Sequence, residues 1–225
     1  MAIFDYTGKH AEERKRLLYA AAKLFLERGY QLTTVKALAA EANADVNILM
    51  RTFGSKENVL AVLVKYVLES QFAYTAELLK GKTEDKILFY AAETALQLHI
   101  VESNAHLREL YAAAYSLPNT TEIIQQTITH KLEDIFKDHL PHLETKDFYE
   151  LEIASGGIMR GFMTIPCDMY FTMERKIARF LETTFLIYRV SDKKIKEAIE
   201  FVSQFDFKKI ADDVIKSMLE KIPQN

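Results

Sequence analysis

Arg16 to Lys56 reads RLLYAAAKLFLERGYQLTTVKALAAEANADVNILMRTFGSK, and its punctuation decides the fold. Leu17, Ala21, Leu24 and Phe25 recur at helical spacing on one face of a first helix, expected from about His10 to Arg28. Gly29 supplies the left-handed residue that ends it. Thr33 or Thr34 then offers an N-cap for a short second helix with Val35, Leu38 and Ala39 inward. After a brief turn, Asp45 offers the cap for a third helix of barely two turns, with Leu49 and Phe53 inward, and Ser55 caps a long fourth. A tight turn between two short helices, with a longer helix on either side, is helix-turn-helix architecture.

The same residues resemble the TetR family of bacterial regulators. Its N-terminal signature is met by Ala21-Ala22, Leu24-Phe25, Gly29-Tyr30, Thr33-Thr34-Val35, Leu38-Ala39, Ala42, Leu49, Phe53 and Ser55-Lys56-Glu57. In a helix-turn-helix the second helix of the pair lies in the major groove and its N-terminal outward residues meet base edges. Here those are Val46, Asn47, Ile48 and Arg51. Asn47 can pair with adenine, Val46 or Ile48 can touch a thymine methyl, and Arg51 can reach guanine or phosphate; each is equally compatible with a solvated helix face. Phosphate contacts are expected at the helix starts, from Thr33, Thr34 and Lys56, because free N–H groups and the helix dipole favour an anion there. Lys36, Asp45 and Thr52 complete the candidate DNA-binding set. The sequence departs from the family where Asn43 replaces the usual Gly, Asp45 a Ser or Thr, Met50 a Tyr and Thr52 a His or Tyr. Met50 matters most, since a thioether cannot make a tyrosine's bond to phosphate.

The 225 residues carry 29 Lys+Arg and 32 Asp+Glu, a net charge of -3 that by itself opposes DNA, whose affinity rests on basic side chains displacing counter-ions. The acidic surplus is uneven. Residues 1–60 hold nine basic side chains against seven acidic ones, so the head is weakly basic and the remainder acidic. One cysteine, Cys167, cannot form an intrachain disulfide, no charged-then-apolar leader opens the sequence, and no apolar run nears the roughly 18 residues of a membrane span. A soluble cytoplasmic protein is expected.

Beyond the head, apolar residues recur at three- and four-residue steps throughout, with only seven Gly and four Pro, so the whole chain reads as helical. The expected division is a DNA-binding head, 1–55, and a helical body, 56–225, with the fourth helix as the link. The resemblance implies that the body holds a ligand pocket and a dimer interface. Phe72, Phe89, Tyr90, His99, His106, Tyr111 and Tyr115 fall on helices that would surround a pocket, although aromatics at this spacing also serve as core. For the interface, Ile153, Gly157, Ile158, Gly161 and Phe162 form one stripe, and Ile177, Phe180, Leu181, Thr184, Phe185 and Tyr188 form a second. Two such helices per chain would make a four-helix contact, unless the stripes pack on their own body.

His139 and His142 flank Pro141, and His99, Glu102 and His106 could share a face, but neither is a dense ligand set, and no glycine-rich phosphate loop occurs. No metal, cofactor or catalytic residue is expected. The expectation is therefore an all-α, homodimeric, ligand-responsive regulator, most simply a repressor on a palindromic operator, released by a small apolar or amphipathic molecule. A small-molecule binding protein of the same fold, with weakened or lost DNA recognition, is the alternative.

Overall fold

The computed structural model describes residues 9–221, and among them every regular element is a helix. The head consists of α1 (Lys9–Arg28), α2 (Val35–Glu41) and α3 (Val46–Phe53), followed by the long α4 (Lys56–Leu79). The body adds α5 (Lys86–Glu102), α6 (Ala105–Ala114), α7 (Pro118–Phe136), α8 (Thr145–Thr164), α9 (Met173–Ile187), α10 (Asp192–Ser203) and α11 (Phe207–Lys221).

Local chemistry sets these boundaries. Thr34 caps α2, accepting from the Ala37 N–H at 3.1 Å, while Asp45 caps α3 through the Asn47 N–H at 2.7 Å and Ser55 caps α4 through the Asn58 N–H at 3.0 Å. Asn43 turns the chain between α2 and α3 with φ +49°, a conformation Asn tolerates better than most residues. Asn104, one residue beyond the expected Ser103, caps α6. Pro118 opens α7 at its first turn, where its missing N–H leaves no bond unmade, so Leu117-Pro118-Asn119 begins a helix as well as breaking one.

Two apolar cores meet inside α4. Leu17, Leu18, Leu24 and Phe25 of α1, Leu38 of α2 and Leu49 and Phe53 of α3 close over Val59, Leu60, Leu63, Val64 and Leu68. From Phe72 onward α4 belongs to the body, whose core is built on α5 with Phe136, Phe148, Phe180, Phe185 and Tyr188. The apolar division thus falls between Leu68 and Phe72. Ala114 of α6 and Ile124 of α7 also sit in the head's core, so two body helices reach across.

One ion-paired hub ties the body together. Lys176 on α9 is 1% exposed, and its ammonium donates to Glu102 Oε2 at 2.7 Å and to the Ile165 carbonyl at 2.5 Å. Glu102 Oε1 also accepts from Arg108 at 2.9 Å and from the Cys167 N–H at 3.0 Å. Burial alone would raise the Glu102 carboxyl, but these donors and cations hold it below its ordinary range. A buried ion pair broken on one side leaves the other charge uncompensated. Lys176→Met is expected to lower stability by about 3 kcal/mol in urea unfolding; an unchanged midpoint would show the hub to be dispensable.

Candidate nucleic-acid interface and body cavity

The outward face of α3 carries Asn47, Met50 and Arg51, spaced three and four residues apart and all exposed, with Met50 43% accessible. Val46 and Ile48 flank them and are half-buried, Ile48 against the head's core. Thr34, Lys36 and Asp45 are exposed beside this face. The geometry thus presents an amide, a thioether and a guanidinium on one short helix whose opposite side is anchored by Leu49 and Phe53.

Three residues read from the sequence as DNA contacts have other employment. Thr33 is fully buried; its hydroxyl donates to the Gly29 carbonyl at 2.7 Å, with the Leu24 carbonyl also 3.2 Å away. It locks the end of α1 to the start of α2. The Lys56 ammonium donates to the carbonyls of Tyr30 and Thr33 at 2.8 and 3.0 Å and lies 4.0 Å from the Tyr30 ring centroid. Burial lowers its pKa. A cation in the first turn of α4 is thus answered by two carbonyls and an aromatic face instead of an external anion. The Thr52 hydroxyl donates back to the Ile48 carbonyl at 2.7 Å.

Body and head are joined by polar contacts that the sequence did not announce. The Gln31 N–H donates to Glu109 Oε1 at 2.6 Å, and this carboxylate lies so close under Gly29 that a Cβ there would meet Oε2 at 2.3 Å. With φ at +81° as well, only glycine fits this approach. One turn away, His106 Nδ1 lies 2.9 Å from the Leu26 carbonyl. A second chain starts at α7. The Asn119 side chain donates to Asn58 Oδ1 at 2.8 Å, and Asn58 Nδ2 donates at 2.6 Å to the Phe53 carbonyl, the last residue of α3. The Asn119 N–H also donates to Glu57 Oε1 at 2.9 Å.

The aromatics expected around one pocket are distributed over several places. Tyr90 packs edge-on against Phe136 and Tyr188 in the body core, and Phe72 and Phe89 pack against each other. His99 stacks on Phe207 and borders a cleft of about 660 Å³ among α5, α9, α10 and α11. His106 belongs to the head contact. Tyr111 and Tyr115 do stand at a cavity. A space of about 50 Å³ is walled by Leu60, Leu63, Gln97, Tyr111 and Tyr115, and a neighbouring one of about 130 Å³ by Thr121, Glu152, Gly156, Gly157 and Arg160. Tyr115 and Ile124 border both.

Around these cavities lies a buried polar network. Gln71 donates to the Tyr111 hydroxyl at 2.6 Å and Gln97 to the Tyr115 hydroxyl at 3.1 Å, while the Tyr188 hydroxyl donates to Ser155 at 2.9 Å and Ser155 to Glu152 Oε2 at 3.1 Å. Glu93, one turn before Gln97, and Glu152 are each 4% exposed. Burial pushes both carboxyls up to about 8; for Glu152 the Ser155 bond offsets this and the neighbouring Glu93 adds to it. Burial likewise raises the phenols of Tyr90, Tyr111, Tyr115 and Tyr188.

The interface stripe on α9 is corrected. Phe180, Leu181, Thr184, Phe185 and Tyr188 are fully buried in the chain's own core and Ile177 nearly so. An apolar stripe looks the same in sequence whether it faces its own body or a partner. On α8, Ile158 and Phe162 pack against the body, whereas Ile153, Gly157 and Gly161 are exposed in line with Ile165. Among the described residues no group of three His, Cys, Asp or Glu could hold a metal ion, and no helix is long and apolar enough to cross a membrane.

A helix-turn-helix head, an exposed third helix and a helical body with an internal cavity define a class of helix-turn-helix proteins. Residues 17–63 match the family model for bacterial regulatory proteins of the tetR family. The HTH-type transcriptional regulator HbdR of Aromatoleum sp. (strain CIB) is 37% identical over 59 residues, so the chain spans about a quarter (26%) of that relative's length. In fold, the chain is similar to RolR, solved with its ligand resorcinol, at a TM-score of 0.66 and 16% identity, covering 88% of this chain and 96% of that one. It is similar also to SmeT, the repressor of the Stenotrophomonas maltophilia multidrug efflux pump SmeDEF, at 0.55 and 18% identity, covering 85% and 94%.

The raised carboxyls fix a pH response. Both folded values lie above the ordinary 4.5, so the stability they confer is complete below about that pH and is lost as pH rises towards 8. Between pH 5 and 8 the wild type is expected to lose stability progressively relative to Glu93→Gln/Glu152→Gln, by about 1 kcal/mol or more in all. Parallel curves from chemical denaturation of the two proteins would contradict this.

Proposed function

We propose that this protein is a ligand-responsive, DNA-binding transcriptional regulator of the cytoplasm, most simply a repressor that binds a palindromic operator as a homodimer and leaves it when a small molecule occupies the body. The observation that carries this reading is the exposed Asn47, Met50 and Arg51 face of α3, tied by hydrogen bonds to body helices that border the Tyr115 cavities. Asn47 and Arg51 would read base edges or phosphate, with Thr34 and Lys36 beside them. The likeness in fold to RolR, whose solved complex holds resorcinol, supports a small-molecule effector. The exposed line of Ile153, Gly157, Gly161 and Ile165 on α8, with exposed Leu186 on α9, would form the contact between two copies.

In this mechanism the effector acts on α6 and α7. Tyr111 and Ala114 of α6, with Tyr115 at its end, border the cavity, and Glu109 of the same helix holds Gln31. Ile124 of α7 borders both cavities, and Asn119 of the same helix holds Asn58. A ligand that favours one setting of these helices would shift the two third helices of the dimer relative to the about 34 Å repeat of B-DNA. A 100-fold preference for one setting corresponds to about 2.7 kcal/mol.

The second reading, a ligand-binding protein with lost DNA recognition, is favoured by Lys56 being turned onto the carbonyls of Tyr30 and Thr33 and by Met50 on the outward face. Fluorescence anisotropy on DNA from immediately upstream of the protein's own gene, at two salt concentrations with scrambled competitor, separates the two. A regulator binds saturably, weakens steeply with salt, and loses at least about tenfold in affinity on Arg51→Ala. Binding no tighter than to scrambled DNA, and unmoved by Arg51→Ala, would either place the operator elsewhere in the genome or favour the second reading. The link to the body is checked by hydrogen exchange: Asn119→Ala, which removes one bond to Asn58, is expected to speed exchange of the last amides of α3 about fivefold.

A further inference from the structure

We propose that the cavity beside Tyr115 takes a small organic cation, a primary or secondary ammonium on a single-ring or short aliphatic body, with Glu93 and Glu152 as its counter-ions. The proposal rests on the reading of this cavity as the effector site and names the chemistry of the effector.

The network leaves several polar atoms unmatched. Gln71 and Gln97 each give one amide proton to the Tyr111 and Tyr115 hydroxyls, and Ser155 gives its hydroxyl proton to Glu152. Oxygens are left over. Gln71 Oε1 is fully buried without a partner, no hydrogen bond or ion pair among the described residues reaches the Glu93 carboxyl, and Glu152 engages only Ser155. Against these stand the phenolic protons of Tyr111 and Tyr115 and, while the carboxyls are neutral, one acid proton on each; once a carboxyl is ionised its oxygens have no other donor than Ser155 on Glu152. Buried acceptors without donors are costly to a fold. An ammonium brings two or three donors and a positive charge in one group.

Charge points the same way. Glu152 stands in the wall of the larger cavity, and Glu93, one turn before Gln97 in the wall of the smaller, lies close enough to Glu152, Tyr111 and Tyr115 to raise the pKa of each, while burial pushes both carboxyls up to about 8. From α4 the network receives Gln71, from α6 and its C-terminal end Tyr111 and Tyr115, and from the end of α9 Tyr188; from α7, Thr121 and Gln125 border the larger cavity. The charged group at its rim is Arg160, exposed on α8. Glu152 is itself accommodated by Gly156, where a Cβ would come within 2.9 Å of Oε1. The rings of Tyr111 and Tyr115 add faces to which a cation is attracted.

Size selects a small body. The two spaces, about 50 and 130 Å³, are separated by Tyr115 and Ile124, and a cavity of about 150 Å³ takes a benzene-sized molecule. Binding is then a proton exchange. A neutral carboxylic acid gives its proton to solvent, the carboxylate pairs with the ammonium, and one proton leaves for each pair formed at neutral pH.

The test uses 2-phenylethylamine and its near-isostere 2-phenylethanol with the full chain, by calorimetry at pH 7 in two buffers of different ionisation enthalpy. The amine is expected to bind at least tenfold tighter than the alcohol and to release up to one proton, and Glu93→Gln/Glu152→Gln is expected to cancel that advantage and that release. An alcohol that binds as tightly as the amine overturns the cation class and leaves the cavity as an effector site. Amine binding that is unchanged in the double variant places the amine elsewhere and overturns both, as does binding of neither compound. Should the double variant fail to fold, the wild-type proton count decides, because binding without proton release is incompatible with the proposal.

Discussion

The constraint on which the structure turns is the sharing of apolar core between two units. Ala114 and Ile124 are buried among head residues while standing on body helices, and α4 is buried in the head as far as Leu68 and in the body from Phe72. Close-packed interiors resist gradual deformation, so a helix gripped by two cores tends to move as a rigid body or not at all. The polar contacts of Glu109 and Asn119 then act as register pins on a joint that apolar packing has already formed. A change at Tyr115 thus has a short physical route to α3, through helices whose two ends belong to different cores.

The head was legible because its signals are local. Caps at Thr34, Asp45 and Ser55, a left-handed residue at Gly29 and a period of about 3.6 fix three helices within a few residues of their observed ends. Thr33 and Lys56 were not legible, because a hydroxyl or an ammonium at a helix start serves a phosphate or a distant carbonyl equally well. Their partners, Gly29 and Leu24 for one and Tyr30 and Thr33 for the other, depend on how the loop folds back. The same limit applies to α9, whose stripe from Ile177 to Tyr188 faces inward because α10 and α8 cover it, a fact of topology that periodicity cannot carry.

The cavity was half legible. Tyr111 and Tyr115 were found as aromatics, but Tyr90, Phe72, Phe89 and His99 obey the same spacing and lie elsewhere. A better signal was present in the interruptions. Glu93 and Gln97 stand four residues apart within the otherwise apolar run of α5, and Gln71 and Thr75 do the same on α4. Polar residues repeated at helical spacing on a buried face mark a network inside a core, where aromatic repeats mark only the core.

That network sets two properties of the molecule against each other. Carboxyls kept in an apolar interior weaken the fold as the medium turns alkaline, and gain nothing for packing that a leucine or a glutamine would not give. Proteins hold such groups where function demands them, and stabilising replacements at such places tend to erase activity. A laboratory selection for heat resistance alone, run at mildly alkaline pH, would therefore converge early on positions 93 and 152, and its winners would be sturdier proteins without the two groups proposed to meet an effector.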